Sequence, residues 1–366
     1  MNVTGQITGI KYKVFLFENL QTVDIGKFNI NKSPSFFLLK DGRTSFAVSK
    51  WVSPKRTRSY PYERVYNTLN VSKKITVIPI IKDEGVDGDR DYLQWDTVSL
   101  MSLLDVFVIF AYYNKATKNP NYDNKITDFQ FDNKYVISKI KEIEQYHSSA
   151  LHWNLSELKN NLYSILDKAK KNYAKIEKQT GILLHNQTGI ENFKRKIGKD
   201  VSVFMEFSRE KAQKAQSREM ITSQPKESLS TNTKAKITIT NYLGGQYFFT
   251  VDEVFIDKEI VYLIESKHSK QSFFPSKGDI KDGLLKMILY SNLCEVEVNG
   301  KKMKSKAVLK LTSPKITNEF TSEIPVWERG DCLLLNDFSQ EQIRFVENLM
   351  EEAVENGFMV KIGGVI

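Results

Sequence analysis

The sequence predicts an α/β protein in two parts: a C-terminal mixed central β-sheet flanked by helices, and an additional N-terminal α/β region. Three observations predict it. Between residues 236 and 311, short runs rich in Val, Ile, Phe and Tyr precede and follow one amphipathic helix. Between residues 75 and 112, two apolar runs of strand length flank a helical stretch. Residues 133–178 carry apolar side chains near helical spacing, with lysine-rich opposite faces. A chain of 366 residues has the length of two domains. The expected divisions are 1–130 (N-terminal α/β region), 131–190 (helical connection) and 191–366 (C-terminal domain).

Composition narrows the classes. An apolar fraction of 41% is enough for real cores. No run of about 18 apolar residues is present, which argues against a membrane span. The opening MNVTGQITGIKYKVF lacks the charged-then-apolar layout of a secretory signal, so a cytoplasmic protein is expected. Cys294 and Cys332 have no CxxC spacing; they are expected to be buried free thiols, and a structural zinc site is not supported. Lys and Arg number 53 against 44 Asp and Glu, a net charge of +9 that favours an anionic partner such as nucleic acid. A generally lysine-rich composition accounts for part of that excess.

Residues 1–50 read as a β-rich entry to the first domain, with strands at 11–17 and 35–39. In residues 51–64, WVSPKRTRSYPYER, the cations Lys55, Arg56, Arg58 and Arg64 are interleaved with Tyr60 and Tyr62. Two prolines are expected to keep that stretch out of helix. Basic groups with aromatics grip phosphates and stack on bases, so these residues are DNA-contact candidates; a solvated loop is the plainer alternative. Residues 75–81 and 106–112 read as buried strands around a helix at 95–104. The acidic turn between them holds Asp83, Glu84, Asp87, Asp89 and Asp91, with Asp96 just beyond. It is a rival metal site, but its spacing lacks the glycine and closing glutamate of a calcium loop. A turn that orders a DNA-facing loop, or pairs with Lys and Arg elsewhere, explains those acids better. His147, His152 and His185 have no partner spacing. Residues 198–220 form another helical run, and residues 222–233 a polar, flexible loop.

The C-terminal part carries the chemistry. Residues 236–243 read as a strand, and residues 246–267, QYFFTVDEVFIDKEIVYLIESK, as a hairpin folding back at Asp257-Lys258. That turn places Asp252 opposite Leu263. Side chains alternate faces along a strand, so Asp252, Leu263, Glu265 and Lys267 project together, and Glu253, Tyr262, Ile264 and Ser266 project the other way. A helix at 277–293 buries Ile280, Leu284, Leu285, Ile288 and Leu289; a strand at 306–311 and a helix at 339–355, N-capped by Ser339, follow. Two carboxylates beside a lysine suit Mg2+, a hard cation held by one or two carboxylates with waters and substrate phosphate. Lys270 and Lys277, with Lys281, flank the site where a phosphate backbone would pass.

Val251-Asp252 followed by Glu265-Ser266-Lys267, in the order strand, strand, strand, helix, strand, resembles the PD-(D/E)xK nuclease superfamily over about residues 190–335. Valine stands where the family has its proline. The resemblance implies a restriction-endonuclease-like core and a Mg-dependent type II restriction endonuclease. Asp252 and Glu265 would ligand the metal, and Lys267 would position or activate water. A preceding helix in that family supplies an extra glutamate, for which Glu206 is the candidate here. The resemblance also implies double-stranded DNA as substrate, a homodimer, and a cognate DNA methyltransferase as companion. A structure-selective repair or recombination nuclease of the same superfamily, or a non-catalytic DNA-binding module, remains open at this point.

Overall fold

The computed structural model describes residues 1–42, 44–55, 61–197, 200–221 and 234–364. It is a mixed α/β protein of two compact units, Asn19–Arg209, and Met1–Glu18 together with Glu210–Ile366. The opening strand, β1 (Asn2–Ile7), therefore belongs with the C-terminal residues: it pairs in parallel with a strand there, Val3 level with Ile237. This corrects the expectation that residues 1–50 begin the N-terminal region. Alternating burial marks β1 as a strand, but alternation does not say which sheet it joins. The strand expected at 11–17 does not form either. Backbone donors there go to side chains instead of a ladder: Lys11 N to Asn292 Oδ1 at 2.9 Å, and Phe15 N and Leu16 N to the Glu352 carboxylate at 2.8 and 3.1 Å.

The Asn19–Arg209 unit contains β2 (Thr22–Asp24), β3 (Phe36–Asp41), β4 (Thr44–Lys50), α1 (Pro61–Tyr66), β5 (Lys74–Pro79), β6 (Ile81–Asp83), β7 (Arg90–Tyr92), α2 (Trp95–Leu103), β8 (Val106–Ala111), β9 (Tyr113–Lys118), β10 (Ile126–Phe131), α3 (Asn133–Glu144), α4 (Ala150–Thr180) and α5 (Thr188–Ile197). Its main sheet runs β2-β3-β4-β5-β8, with β4, β5 and β8 parallel. Strands β5 and β8 are buried along their whole length, as the continuous apolar runs require. Pro61 does not break helix structure but starts α1, where its missing N–H costs nothing. The helical pattern expected at 133–178 forms two helices, α3 and α4, with Asp132 and Ser149 capping their starts.

Helix α4 also closes the edge of this sheet. Asn154 Oδ1 accepts from Val108 N at 2.7 Å, its Nδ2 donates to Val106 O and Ser102 Oγ at 3.0 Å, and Trp153 Nε1 donates to Val108 O at 2.9 Å. An edge strand's free backbone groups are thereby satisfied without a further strand. Asn154→Ala leaves buried groups of β8 unsatisfied and is expected to cost about 3 kcal/mol, read as a lowered urea midpoint with unchanged m-value. An unchanged midpoint would show that β8 does not depend on this clamp.

The boundary of the units falls within α6 (Val201–Ile221). The C-terminal residues then form β11 (Ala235–Asn241), β12 (Gln246–Val251), β13 (Glu253–Asp257), β14 (Ile260–His268), α7 (Lys277–Ser291), β15 (Cys294–Val298), β16 (Lys301–Lys302), β17 (Lys304–Thr312), β18 (Phe320–Thr321), α8 (Val326–Leu335), α9 (Gln340–Asn356) and β19 (Met359–Gly363). One expected central sheet is in fact two: β12-β11-β1-β15-β16 and β13-β14-β17-β19-β18. In the second, β14, β17 and β19 are parallel, and β13 and β18 pair antiparallel at its edges. Parallel neighbours need crossovers, which α7 and the α8–α9 pair supply. Ser339 caps α9 with a full capping box to Gln342. Cys294 and Cys332 are free, as expected, but partly exposed and not buried. Among the described residues, no helix is long and apolar enough to cross a membrane.

Candidate active site

The strand expected to run through Asp252 is broken there. Up to Val251 the chain pairs with β11 in one sheet; from Glu253 it pairs with β14 in the other. Asp252 stands at the crossing. The β13–β14 register differs by two residues from the sequence expectation: Leu263 faces Val254, not Asp252, and Glu253 faces Ile264. The turn is correspondingly Lys258-Glu259, with Lys258 in the left-handed region at φ 54°. Direct pairing of Phe255 with Tyr262, ring centroids 5.8 Å apart, favours this register. A slip of two keeps every side chain on its face and brings position 252 level with Glu265.

The face shared by Val261, Leu263 and Glu265 is buried. Helix α7 lies on it, started by Ser276, whose Oγ accepts from Asp279 N. Gly283 lets the helix come close: a Cβ there would stand 2.9 Å from Leu309 Cδ1, 3.3 Å from Lys267 Cε and 3.8 Å from Glu265 Cγ. The opposite face carries a separate group, in which Glu253 accepts from Ser266 Oγ at 3.0 Å and pairs with Lys310 at 2.9 Å. Glu253 is thus spoken for outside the site.

Two ammonium groups pair with Glu265, which is 1% exposed. Lys286 Nζ donates to both carboxylate oxygens at 2.8 Å, and Lys267 Nζ lies 2.9 Å from Oε1. Lys267 also lies 3.8 Å from Asp282. Partly buried Asp252 accepts from Ser266 N at 2.9 Å through Oδ2. Burial, then the neighbouring charge of Glu265, pushes the Asp252 carboxyl up to about 7. Burial also opposes the charge of Glu265, but Lys267 and Lys286 outweigh it and hold that carboxyl at about 2. Burial pulls Lys267 down and Glu265 more than restores it, so the ammonium is held above its ordinary range. Burial raises Asp282.

Asp252, Glu265 and Lys267 are therefore brought together. Lys286 and Asp282 join them, and neither is evident from the sequence reading; their only signal is an i,i+4 acid–base pair on the helix after Glu-x-Lys. Glu206 is exposed on the part of α6 in the Asn19–Arg209 unit. Among the described residues, no three His, Cys, Asp or Glu side chains converge where they could hold a metal ion. The remaining pair still fits Mg2+ in kind, since two carboxylates supply hard oxygens and this ion keeps several waters. Asp252 and Glu265 would hold it.

The other sequence candidates are placed as follows. Arg56, Arg58 and Tyr60 lie outside the described residues, as does the loop 222–233. Lys55 pairs with buried Asp91 with its side chain still 39% exposed, and Arg64 donates to Lys50 O at 2.7 Å. Lys270 is exposed; Lys277 is exposed and 3.5 Å from Glu341; Lys281 is buried against Glu18 at 2.6 Å. The rival acidic turn is tied up by partners. Asp83 binds His185 at 2.8 Å and lies 3.7 Å from Arg90, Glu84 pairs with Lys82, and Asp91 accepts from Ser53. No protein-family model, curated protein or solved structure matches this chain.

Proposed function

We propose that the protein is a Mg2+-dependent endonuclease that hydrolyses phosphodiester bonds in double-stranded DNA at a specific sequence, of the type II restriction class. One observation carries this reading: Asp252, at the crossing between sheets, accepts from Ser266 N next to Glu265, and Lys267 touches Glu265 on the helix-covered face of a strand parallel to its neighbour. On this reading β13, β14, α7 and β17 form a restriction-endonuclease-like core. The net charge of +9 suits a polyanionic substrate. By the same resemblance the active species is a cytoplasmic homodimer, its two-fold symmetry matching a palindrome, with a DNA methyltransferase as companion.

A bound Mg2+ would supply Lewis-acid chemistry, polarising the scissile phosphate and lowering the pKa of a water. The chain's own residues do the rest. Asp252 and Glu265 would hold the cation, and the Ser266 N–H fixes one Asp252 oxygen. Lys267, 2.9 Å from Glu265, would position or activate the attacking water and stabilise charge building on the phosphate.

Purified protein incubated with unmethylated phage DNA and Mg2+ is expected to yield discrete fragments. Lys267→Ala should cut about 10²–10³-fold more slowly, the scale of losing one preorganised donor, and a metal-free sample should not cut. Tight binding without cutting by any sample would sink the nuclease reading in favour of a binding module. A smear, or nicking confined to junctions, would point to a repair enzyme.

A further inference from the structure

The Glu-x-Lys arrangement needs one lysine, and this site has two. Lys286 makes the closer engagement with Glu265, bridging both oxygens at 2.8 Å, whereas Lys267 reaches one oxygen at 2.9 Å. Because the Lys286 ammonium lies between both Glu265 oxygens, a cation bridging the same two oxygens would meet it in like-charge contact unless Lys286 moved aside. Lys286 thus occupies the coordination that a divalent cation would use. It has somewhere to go: Asp282 is one helical turn earlier on α7, on the same face, and lies 3.8 Å from Lys267.

Charge counting agrees. Asp252, Glu265 and Asp282 are three acids facing Lys267 and Lys286, two bases. The fully ionised cluster carries one net negative charge without metal and two without Lys286. A buried carboxylate left with less compensation would be costly, so an internal cation keeps the metal-free fold intact. The same cation must be displaced before metal binds.

We propose that Lys286 is a resident counter-cation of the metal site: it holds the Glu265 carboxylate in place through both oxygens when no metal is bound, and moves to Asp282 when a divalent cation enters. This rests on the nuclease reading only in taking Asp252 and Glu265 as metal ligands. Lys286 is then a positioning residue that sets metal affinity, and the protein binds its cofactor more weakly than its two carboxylates alone would allow.

The test is Mn2+ binding to full-length, DNA-free protein, followed by electron paramagnetic resonance, for wild type, Lys286→Met, Lys286→Arg and Asp252→Asn. Lys286→Met is expected to bind Mn2+ at least about tenfold tighter than wild type, the size typical of outer-shell effects on metal affinity. Lys286→Arg should bind as wild type or more weakly, and Asp252→Asn should lose binding. Melting in EDTA and in Mn2+ supplies a second readout: Lys286→Met should melt lower in EDTA and gain more from Mn2+ than wild type does. Wild-type binding with unchanged or weaker binding by Lys286→Met would overturn the counter-cation while leaving the metal site standing. Binding that Asp252→Asn leaves unaffected, or no binding by any variant, would remove the metal site itself and the counter-cation with it. If Lys286→Met does not fold, Lys286→Gln takes its place under the same criteria.

Discussion

Replacing Glu265 by glutamine will abolish cleavage and lower stability by about 3–5 kcal/mol, the usual consequence of leaving buried charge uncompensated. The isosteric amide keeps the packing under Gly283 but removes the only charge that Lys286 bridges with both oxygens and that Lys267 contacts at 2.9 Å. Both lysine side chains are less than one-fifth exposed, at 16% and 18%, so water recovers little of the loss. The pH dependence has a definite sign. Glu265 is lowered from 4.5 to about 2 in the folded protein. Its contribution is therefore present above 4.5 and is lost as pH falls through 2. Urea unfolding should show a gap between wild type and Glu265→Gln that is full at pH 7 and closes in acid. Adding Lys286→Met to Glu265→Gln should restore part of the loss, because the two positions interact directly. Additive effects in that double-mutant cycle would mean the contact carries no energy.

Asp252→Asn is expected to do the reverse to stability while also ending catalysis. Cleavage should fall by about 10³-fold or more, since a metal ligand supplies several kcal/mol of transition-state stabilisation indirectly. Stability should rise at neutral and alkaline pH. The Asp252 carboxyl sits at about 7 against an ordinary 3.8, because burial and Glu265 disfavour its charge. The folded protein thus holds this proton more tightly than the unfolded chain does. That contribution is complete below 3.8 and is lost as pH rises through 7. Asparagine carries no such loss. In EDTA at pH 8 the variant should exceed wild type by up to about 4 kcal/mol, less what solvent reaching the partly buried carboxyl removes; near pH 4 the two should coincide. A difference independent of pH would show that Asp252 is ionised without cost, and a variant that still cuts would remove it from the metal site. The opposite stability signs at positions 252 and 265 separate loss of a ligand from loss of the fold.

What could be read along the chain was local. Side-chain alternation along residues 246–267 put Asp252, Glu265 and Lys267 on one face and Glu253 and Ser266 on the other. That survived a register displaced by two residues, because the strand period is two. The buried strands β5 and β8, the amphipathic helix α7 and the cap at Ser339 were likewise set by spacing and by one capping residue.

Only the tertiary structure decided the rest, and in each case the deciding partner lies far along the chain. Strand β1 joins β11 more than 200 residues away, as Val3 level with Ile237 shows, and nothing in its alternation names that neighbour. The break at Asp252 exists because two sheets claim the residues on either side of it. Arg64 and Lys55 find partners in Lys50 O and Asp91 that no spacing in the sequence names. Lys286 reads as one more lysine on a helix; which face of α7 meets β14 makes it the closest partner of Glu265. Charge and periodicity follow from residue order, whereas the partner of a charge depends on packing between segments that sequence distance does not encode.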